Sequence, residues 1–467
     1  MNTPRCFVFL LAIACIVPTS SRVIAQVSVG FGEADVSPTL GKTPVWIAGF
    51  GKGRAATKIH DPIMVRVVVL EHAGKKIAIA SVDVVGLFND VAQRVRSELR
   101  DFTCILVAST HNHEGPDTMG LWGPNLLTSG VDPDYLKRVE KGIVQTIRAA
   151  DKTRRPANAA IGSASAPDLL HDNREPYVKH DQLVALRFDG ADKKPVGIVV
   201  QWNCHPETLD SKNTEISADF VAFTVEYLRK KHGCPVVYLT GTVGGLMTSL
   251  HVVVKDDTGT PLKDGTFAKT KAYGVLVGKL ADKALAAAKP VTLTPFEVRT
   301  QRFFAPIDNP FYMLAFNFGV LKRDAYVWRN DPLKAEPFKG QIDAKTPLCM
   351  QTEVGWLKLG NLEIAAIPGE IYPELVLSKV QNPADKNADF PDAAIEPGIY
   401  AQMKGSHRMI VGLANDEIGY ILPKRQWDEK APYCYGRKRA QYGEENSLGP
   451  ETGPIVCDMF RKMVERK

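Results

Sequence analysis

Apolar, β-branched runs alternate along this chain with segments whose apolar positions recur every three or four residues. Residues 64–70 and 77–82 predict strands and residues 90–99 a helix. A strand is expected at 105–109. A helix follows at 132–150, with Asp132-Pro133 as N-cap and first turn and Tyr135, Val139, Ile143 and Ile147 along one face. Residues 183–188 and 196–202 read as strands, 217–231 as a helix ended by Gly233, and 236–239 as another strand. A long Ala- and Lys-rich helix is predicted over 266–288, with later strands over 363–367 and 409–413. This order gives an α/β chain of layered mixed β-sheets flanked by helices. Segments 256–265, 330–347 and 382–397 are rich in Asp, Lys, Pro and Gly and read as surface excursions. The spacing of Asp256, Asp257 and Asp264 fits a hairpin turn rather than a calcium loop. The Gly-rich stretch 49–54 lacks the Lys-Ser/Thr ending of a phosphate loop and reads as a plain loop.

The first 25 residues stand outside this pattern. Arg5, the apolar stretch 6–17 and Val23-Ile24-Ala25 ahead of Gln26 have the order of a signal peptide and its cleavage site. The apolar stretch is short for a membrane span. Cys15 offers a lipoprotein alternative, ranked second because Ala12 stands where a larger aliphatic residue is usual. A secreted or periplasmic chain, residues 26–467, is therefore expected, with no transmembrane segment after signal cleavage. The formal charge is +6, and removal of Arg5 and Arg22 leaves +4. So mild an excess, even with Arg437-Lys438-Arg439, describes solvated faces and argues against a nucleic-acid partner. Of eight cysteines, Cys104, Cys204, Cys234, Cys349, Cys434 and Cys457 remain in the mature chain, without any CxxC. In an exported protein they allow one to three disulfides, which sequence alone does not pair. Cys104 and Cys204 lie in or beside apolar strand patterns and read as buried thiols.

Candidate chemistry gathers where strands end. Residues 103–116 read TCILVASTHNHEGP, and along an extended backbone His111 and His113 share one face before Gly115-Pro116 turns the chain. Paired imidazoles there suit a metal site or acid–base chemistry; two His in a polar loop is the alternative. Three more strands end similarly, in Asn203-Cys204-His205-Pro206-Glu207, in Pro368-Gly369-Glu370, and in residues 414–420, ANDEIGY. Together they offer His, Glu and Tyr, an inventory that fits catalytic zinc with nitrogen and oxygen ligands.

The segments STHNHEGP, WNCHPETL, IPGE and ANDEIGY, in this order, resemble the catalytic domain of neutral ceramidases, exported zinc amidases that cleave the N-acyl bond of ceramide. The resemblance runs from FGEADVSP at 31–38 to Gln441-Tyr442-Gly443. It implies a ceramidase-like domain over 26–467, one Zn2+ per chain held by His111, His205, Glu370 and Tyr420, and a small-molecule or lipid amide substrate. It also implies that His113 is the catalytic His, that Arg174 lies near the scissile amide, and that Tyr442 faces the substrate carbonyl. Read without the family, Arg174 could pair with Asp172 or Glu175 on the surface, Tyr442 could be core, and Tyr420 could cap an apolar layer. His171 and His180 read as polar loop residues. Asp83 and His60-Asp61 stay divided between support for the site and local turn chemistry.

Three departures from the family bear on substrate. Glu114 to Thr118 replaces a small residue and a Gly-rich turn, Gly241 to Thr248 replaces a Gly-Asp-x-Ser-Pro segment, and with Lys467 so soon after Tyr442 the family's immunoglobulin-like domain is expected to be missing. Glu114 or Asp117 at the mouth of the site is expected to disfavour anionic substrates. Three readings follow: a ceramidase-type amidase, a zinc hydrolase of another amide or ester, and a binding protein with a degenerate site.

Overall fold

The computed structural model describes residues 27–340 and 346–466, so the expected signal peptide, with Cys6 and Cys15, lies outside the described residues. Two mixed sheets lie face to face with helices outside both. The first has nine strands, in the order Val236–Thr240, Pro195–Trp202, Gln182–Gly190, Arg155–Ser165, Val27–Asp35, Met64–His72, Lys75–Val82 and Cys104–Ser109, with Lys289–Val291 also paired to Arg155–Ser165. The second has six, in the order Ala335–Pro337, Tyr326–Trp328, Leu348–Leu359, Leu362–Ala366 and His407–Val411, with Phe296–Ile307 paired along Leu348–Leu359.

Alternation of side chains explains why the strand sequences look continuously apolar. Val68, Leu70, Ile77, Ile79 and Leu106 pack toward Leu357, Ile364, Met409 and Val411 of the second sheet. Their neighbours Val67, Val69, Ala78, Ala80 and Val107 meet Val95, Val139, Ile143 and Ile147 of the helices. Both faces of the first sheet are covered, so polar alternation is absent where it would mark a solvated face. Helices Phe220–His232 and Phe267–Ala286 cover the other half of that outer face, and Thr452–Glu465 covers the second sheet.

Helix limits follow the predicted caps closely. Asp132 accepts the N–H groups of Asp134 and Tyr135 at the start of Pro133–Lys152, and Gly233 closes Phe220–His232 in the left-handed region. Asp256 accepts the N–H groups of Thr258 and Thr260, forming the expected turn. Strand Arg155–Ser165, the hairpin Phe296–Ile307/Leu348–Leu359 and helix Thr452–Glu465 escape the sequence reading. The first of these is built of Ala, Gly and Ser, which carry little strand propensity. No disulfide forms among the described residues: Cys104, Cys204, Cys234, Cys349, Cys434 and Cys457 are free and buried, as read for Cys104 and Cys204.

The two sheets are stitched where their strands end. Asn415 donates its N–H to the Val107 carbonyl at 2.7 Å and its Oδ1 accepts the Val107 N–H at 2.9 Å. Gly412 N–H donates to the Thr240 carbonyl at 3.0 Å, and a Cβ at Gly412 would stand 2.3 Å from the Gly241 carbonyl oxygen. Asn415 also holds a φ of +63°, which an Asn tolerates better than Ala. Asn415→Ala leaves a buried N–H unpaired in a conformation Ala disfavours. A loss of about 2–3 kcal/mol in urea unfolding is expected.

Candidate metal centre and catalytic cavity

His111, His205, Glu370 and Tyr420 arrive at one point from four strand ends, two in each sheet. His111 follows Cys104–Ser109 with a φ of +65°. Its Nδ1 donates to the Val85 carbonyl at 2.7 Å, which leaves Nε2 as the free lone pair. His205 follows Pro195–Trp202, and its Nδ1 donates to the Met247 carbonyl at 2.9 Å with the same result. The segment 241–248 that departs from the family therefore holds this histidine. Glu370 and Tyr420 are directly paired in a short parallel ladder. That pairing needs the backbones close together: a Cβ on Gly369 would meet the Gly419 carbonyl oxygen at 2.5 Å.

Glu370 Oε2 lies 3.1 Å from His111 Nε2 and 2.9 Å from His205 Nε2, and the Tyr420 hydroxyl lies 3.4 Å from His205 Nε2. With both Nδ1 atoms donating elsewhere, both Nε2 atoms face one carboxylate oxygen, and a metal cation can take the place of any proton they share with it. Donors of a tetrahedral zinc with bonds near 2.0–2.1 Å stand about 3.3 Å apart, so this set fits such an ion. His111, His113 and His205 also form a buried triad with ligand atoms within 4.8 Å of one another, which could hold a metal ion. Burial opposes the Glu370 charge, but His111 and His205 outweigh it and hold the carboxyl low.

His113 stands beside this set, its ring 4.8 Å from that of His111. Its Nδ1 is 3.3 Å from Glu207 Oε2, a charge contact off the hydrogen-bond line that leaves the nitrogen otherwise unpartnered. Burial, opposed by Glu207, holds the ring down to about 4, hence neutral. The loop 49–54, read as plain, braces it. Gly49 has a φ of +100° and a Cβ there would sit 2.3 Å from His113 Cγ. Phe50 packs edge-on at 5.1 Å, and Arg54 Nη2 donates to the His113 carbonyl at 2.6 Å. Glu207 and the loop escaped the sequence reading; Glu207 lies two residues after His205, within a quoted motif, and that proximity was the available signal.

A cavity of about 510 Å³ opens over these groups. His111, His113, Glu207, Glu370 and Tyr420 line its base, and Phe50, Leu121, Trp122, Phe311 and Tyr312 its apolar wall. Tyr442 also lines it, 45% exposed, with its hydroxyl accepting from Asn446 Nδ2 at 2.9 Å, so the core alternative for Tyr442 falls. Burial beside Glu370 keeps its phenol protonated.

Arg174 is placed differently. It is buried, and its terminal nitrogens bond Glu444 twice at 2.7 Å, the Tyr442 carbonyl at 3.0 Å and the Gln426 carbonyl at 2.8 Å. All four terminal N–H groups are occupied, so they hold the segment carrying Tyr442 rather than reach the cavity, and surface pairing with Asp172 or Glu175 is excluded. Glu114 and Asp117 are likewise absent from the cavity wall. Glu114 is fully buried against Arg54 at 3.1 Å and Asn213 at 2.8 Å, and Asp117 accepts the N–H groups of Met119, Gly120 and Trp122. The expected placement of these two at the mouth is thus corrected: both lie inside the protein, Glu114 with its Oε1 unpaired, and the acidic residues that do line the cavity besides Glu207 and Glu370 are Glu417 and Glu445. Asp83 pairs with Arg66 at 2.6 Å; His60 stacks on Phe267 at 3.7 Å, and Asp61 accepts from Ser217 and Ala218.

The same arrangement of layers recurs in solved structures. A crystal structure of neutral ceramidase from Pseudomonas aeruginosa superposes with a TM-score of 0.70 at 17% identity, covering 94% of this chain and 74% of that one. The fold is neutral ceramidase-like. A structure described as ceramidase complexed with C2 superposes at 0.70 and 16% identity, over 94% of this chain and 75% of the other. No protein-family model matches the sequence. The ceramidase-like fold accounts for the order of the four strand-end motifs, since each motif closes one strand at the junction of the two sheets.

Behind Arg174, Glu374 is buried and accepts from Gln426 Nε2 at 3.0 Å. Burial pushes its carboxyl up to about 7 from an ordinary 4.5. The folded chain then keeps a proton that the unfolded chain releases, so this group's contribution to stability falls as pH rises between those values. Glu374→Gln is expected to remove that fall, worth about 3 kcal/mol, and to leave the variant relatively more stable above pH 7 in urea titrations repeated across pH.

Proposed function

We propose that the protein is an exported zinc-dependent amide hydrolase of neutral ceramidase type. Its substrate is the N-acyl amide of a ceramide-like lipid, and residues 26–467 act as one catalytic domain. The observation that carries this reading is the convergence of His111 Nε2, His205 Nε2 and the Glu370 carboxylate on one buried point, beside the Tyr420 hydroxyl. Such a set calls for a cation. Nitrogen and oxygen donors at tetrahedral spacing favour zinc over calcium, which takes six to eight oxygens.

Zinc held by these four residues would supply Lewis-acid polarisation and hydroxide at neutral pH. The chain's own groups supply the rest. His113, kept neutral by burial, can accept a proton from the attacking water at Nε2 and return it to the leaving amine. Glu207 faces Nδ1 and favours the tautomer and the transient charge that this requires. Tyr442, protonated and on the cavity wall, donates to the oxygen that becomes an oxyanion as the amide carbonyl turns tetrahedral. Arg174 is a positioning residue, because it grips the Tyr442 carbonyl and Glu444. The apolar wall of Phe50, Trp122 and Phe311 suits hydrocarbon next to the amide and keeps bulk water from it.

Metal analysis of the purified mature chain, paired with fatty-acid release from an N-acyl sphingoid substrate, tests the reading. One zinc per chain and turnover are expected, and His111→Ala should lose both. A protein that holds no zinc after gentle loading sinks the proposal, whereas zinc with turnover of other amides or esters but never of ceramide replaces only the substrate. Tyr442→Phe is expected to keep the metal and lower kcat by about 10²–10³-fold, measured under saturating substrate.

A further inference from the structure

A second cavity, of about 550 Å³, shares no lining residue with the catalytic cavity. It lies at the other junction of the sheets, between strands Arg155–Ser165 and Gln182–Gly190 of the first and the start of His407–Val411 of the second. Its charge is lopsided. Lys179, Lys289, Lys379 and Arg408 line it against one carboxylate, Asp181. Arg408 Nη1 donates to the Tyr400 carbonyl at 2.9 Å and Lys179 Nζ to the Pro167 carbonyl at 3.0 Å, contacts that orient the cations without neutralising them. Among the described residues neither Lys289 nor Lys379 has a carboxylate within 4.0 Å.

The floor is built rather than incidental. His180 is buried there, with Nδ1 bonded to Thr242 Oγ1 at 2.5 Å and its carbonyl accepting from Asn203 Nδ2 at 2.8 Å. Burial first, and then the charge of Lys379, hold this imidazole down to about 4. Ser163, Ser165 and Gln182 add hydroxyl and amide groups to the wall. Four cations lining one cavity with a single carboxylate give it a positive potential, which favours an anion there. The volume lies within the roughly 300–1,000 Å³ of small-ligand sites, far more than a bare phosphate fills.

We propose that this cavity binds a dianionic phosphate ester on a polar organic body, of which a phosphorylated monosaccharide is the simplest example. Nothing in this assignment depends on the hydrolase reading. Calorimetric titration of the full mature chain with glucose 6-phosphate, inorganic phosphate and glucose tests it. Glucose 6-phosphate is expected to bind, more tightly than inorganic phosphate, and glucose not at all. Lys289→Glu with Lys379→Glu should weaken binding by about tenfold or more, and Lys289→Gln with Lys379→Gln by less. Both pairs are exposed, so the thermal midpoint of the ligand-free protein should stay unchanged and confirm folding. Glucose 6-phosphate giving no heat, or heat that survives charge reversal, overturns the site; inorganic phosphate binding equally well overturns the organic body.

Discussion

The two hydrogen bonds between Asn415 and Val107, with those from Gly412 to Thr240 and from Ser109 to Leu413, join the ends of two sheets whose broad contact is through apolar side chains. Everything at the metal centre depends on that join. His111 and His205 follow strands of the first sheet, Glu370 and Tyr420 follow strands of the second and pair in a ladder of their own, and neither sheet alone presents more than half of the four side chains. Apolar packing is non-directional and would accept the sheets at a range of offsets. Hydrogen bonds of 2.7 and 2.9 Å do not, and they lie within eight residues of a ligand on each side. A tolerance of a few tenths of an ångström among donors follows from backbone pairing, with the hydrophobic layer supplying cohesion.

Around this centre the protein removes protons from where a cation belongs and keeps them where a reaction needs them. Carbonyls of Val85 and Met247 take the Nδ1 protons of the two ligand histidines. Burial keeps His113 neutral and the Tyr442 phenol protonated. Three buried carboxylates are held away from the cavity, Glu114 facing Arg54, Asp416 facing Arg323 at 2.8 Å and Glu444 facing Arg174, whereas Glu417 lines it, its carboxyl pushed up by burial and by Glu370. Each pair ties down a loop that lines or supports the cavity, so their placement is as much scaffold as charge balance.

The strand ends were legible because a doubly covered strand must be apolar throughout, and the polar residue that breaks such a run must then lie at its end. Caps made the helices legible for a similar local reason. What the sequence hid depends on partners distant along the chain. Arg174 reads as an exposed loop cation until Glu444, 270 positions away, is seen to bind it. Glu114 reads as a second carboxylate at the mouth until Arg54 is seen beneath it. The hairpin Phe296–Ile307/Leu348–Leu359 has one partly solvated strand and a long excursion between its arms, and so carries no continuous apolar signal. Glu207 was in view, but only the placement of His113 gives it a role.

Glu370 and Tyr420 are register partners in a parallel ladder whose strands are pinned by glycines too close to admit a methyl group. Side chains opposite one another in such a ladder leave the backbone on the same face, with a separation set by the strands themselves. Two of the four donors therefore share a rigid frame, and the gap between them behaves as a gauge. The separation of the two Cα atoms is in this way written into main-chain spacing, where no exchange of one side chain for another can readily erase it.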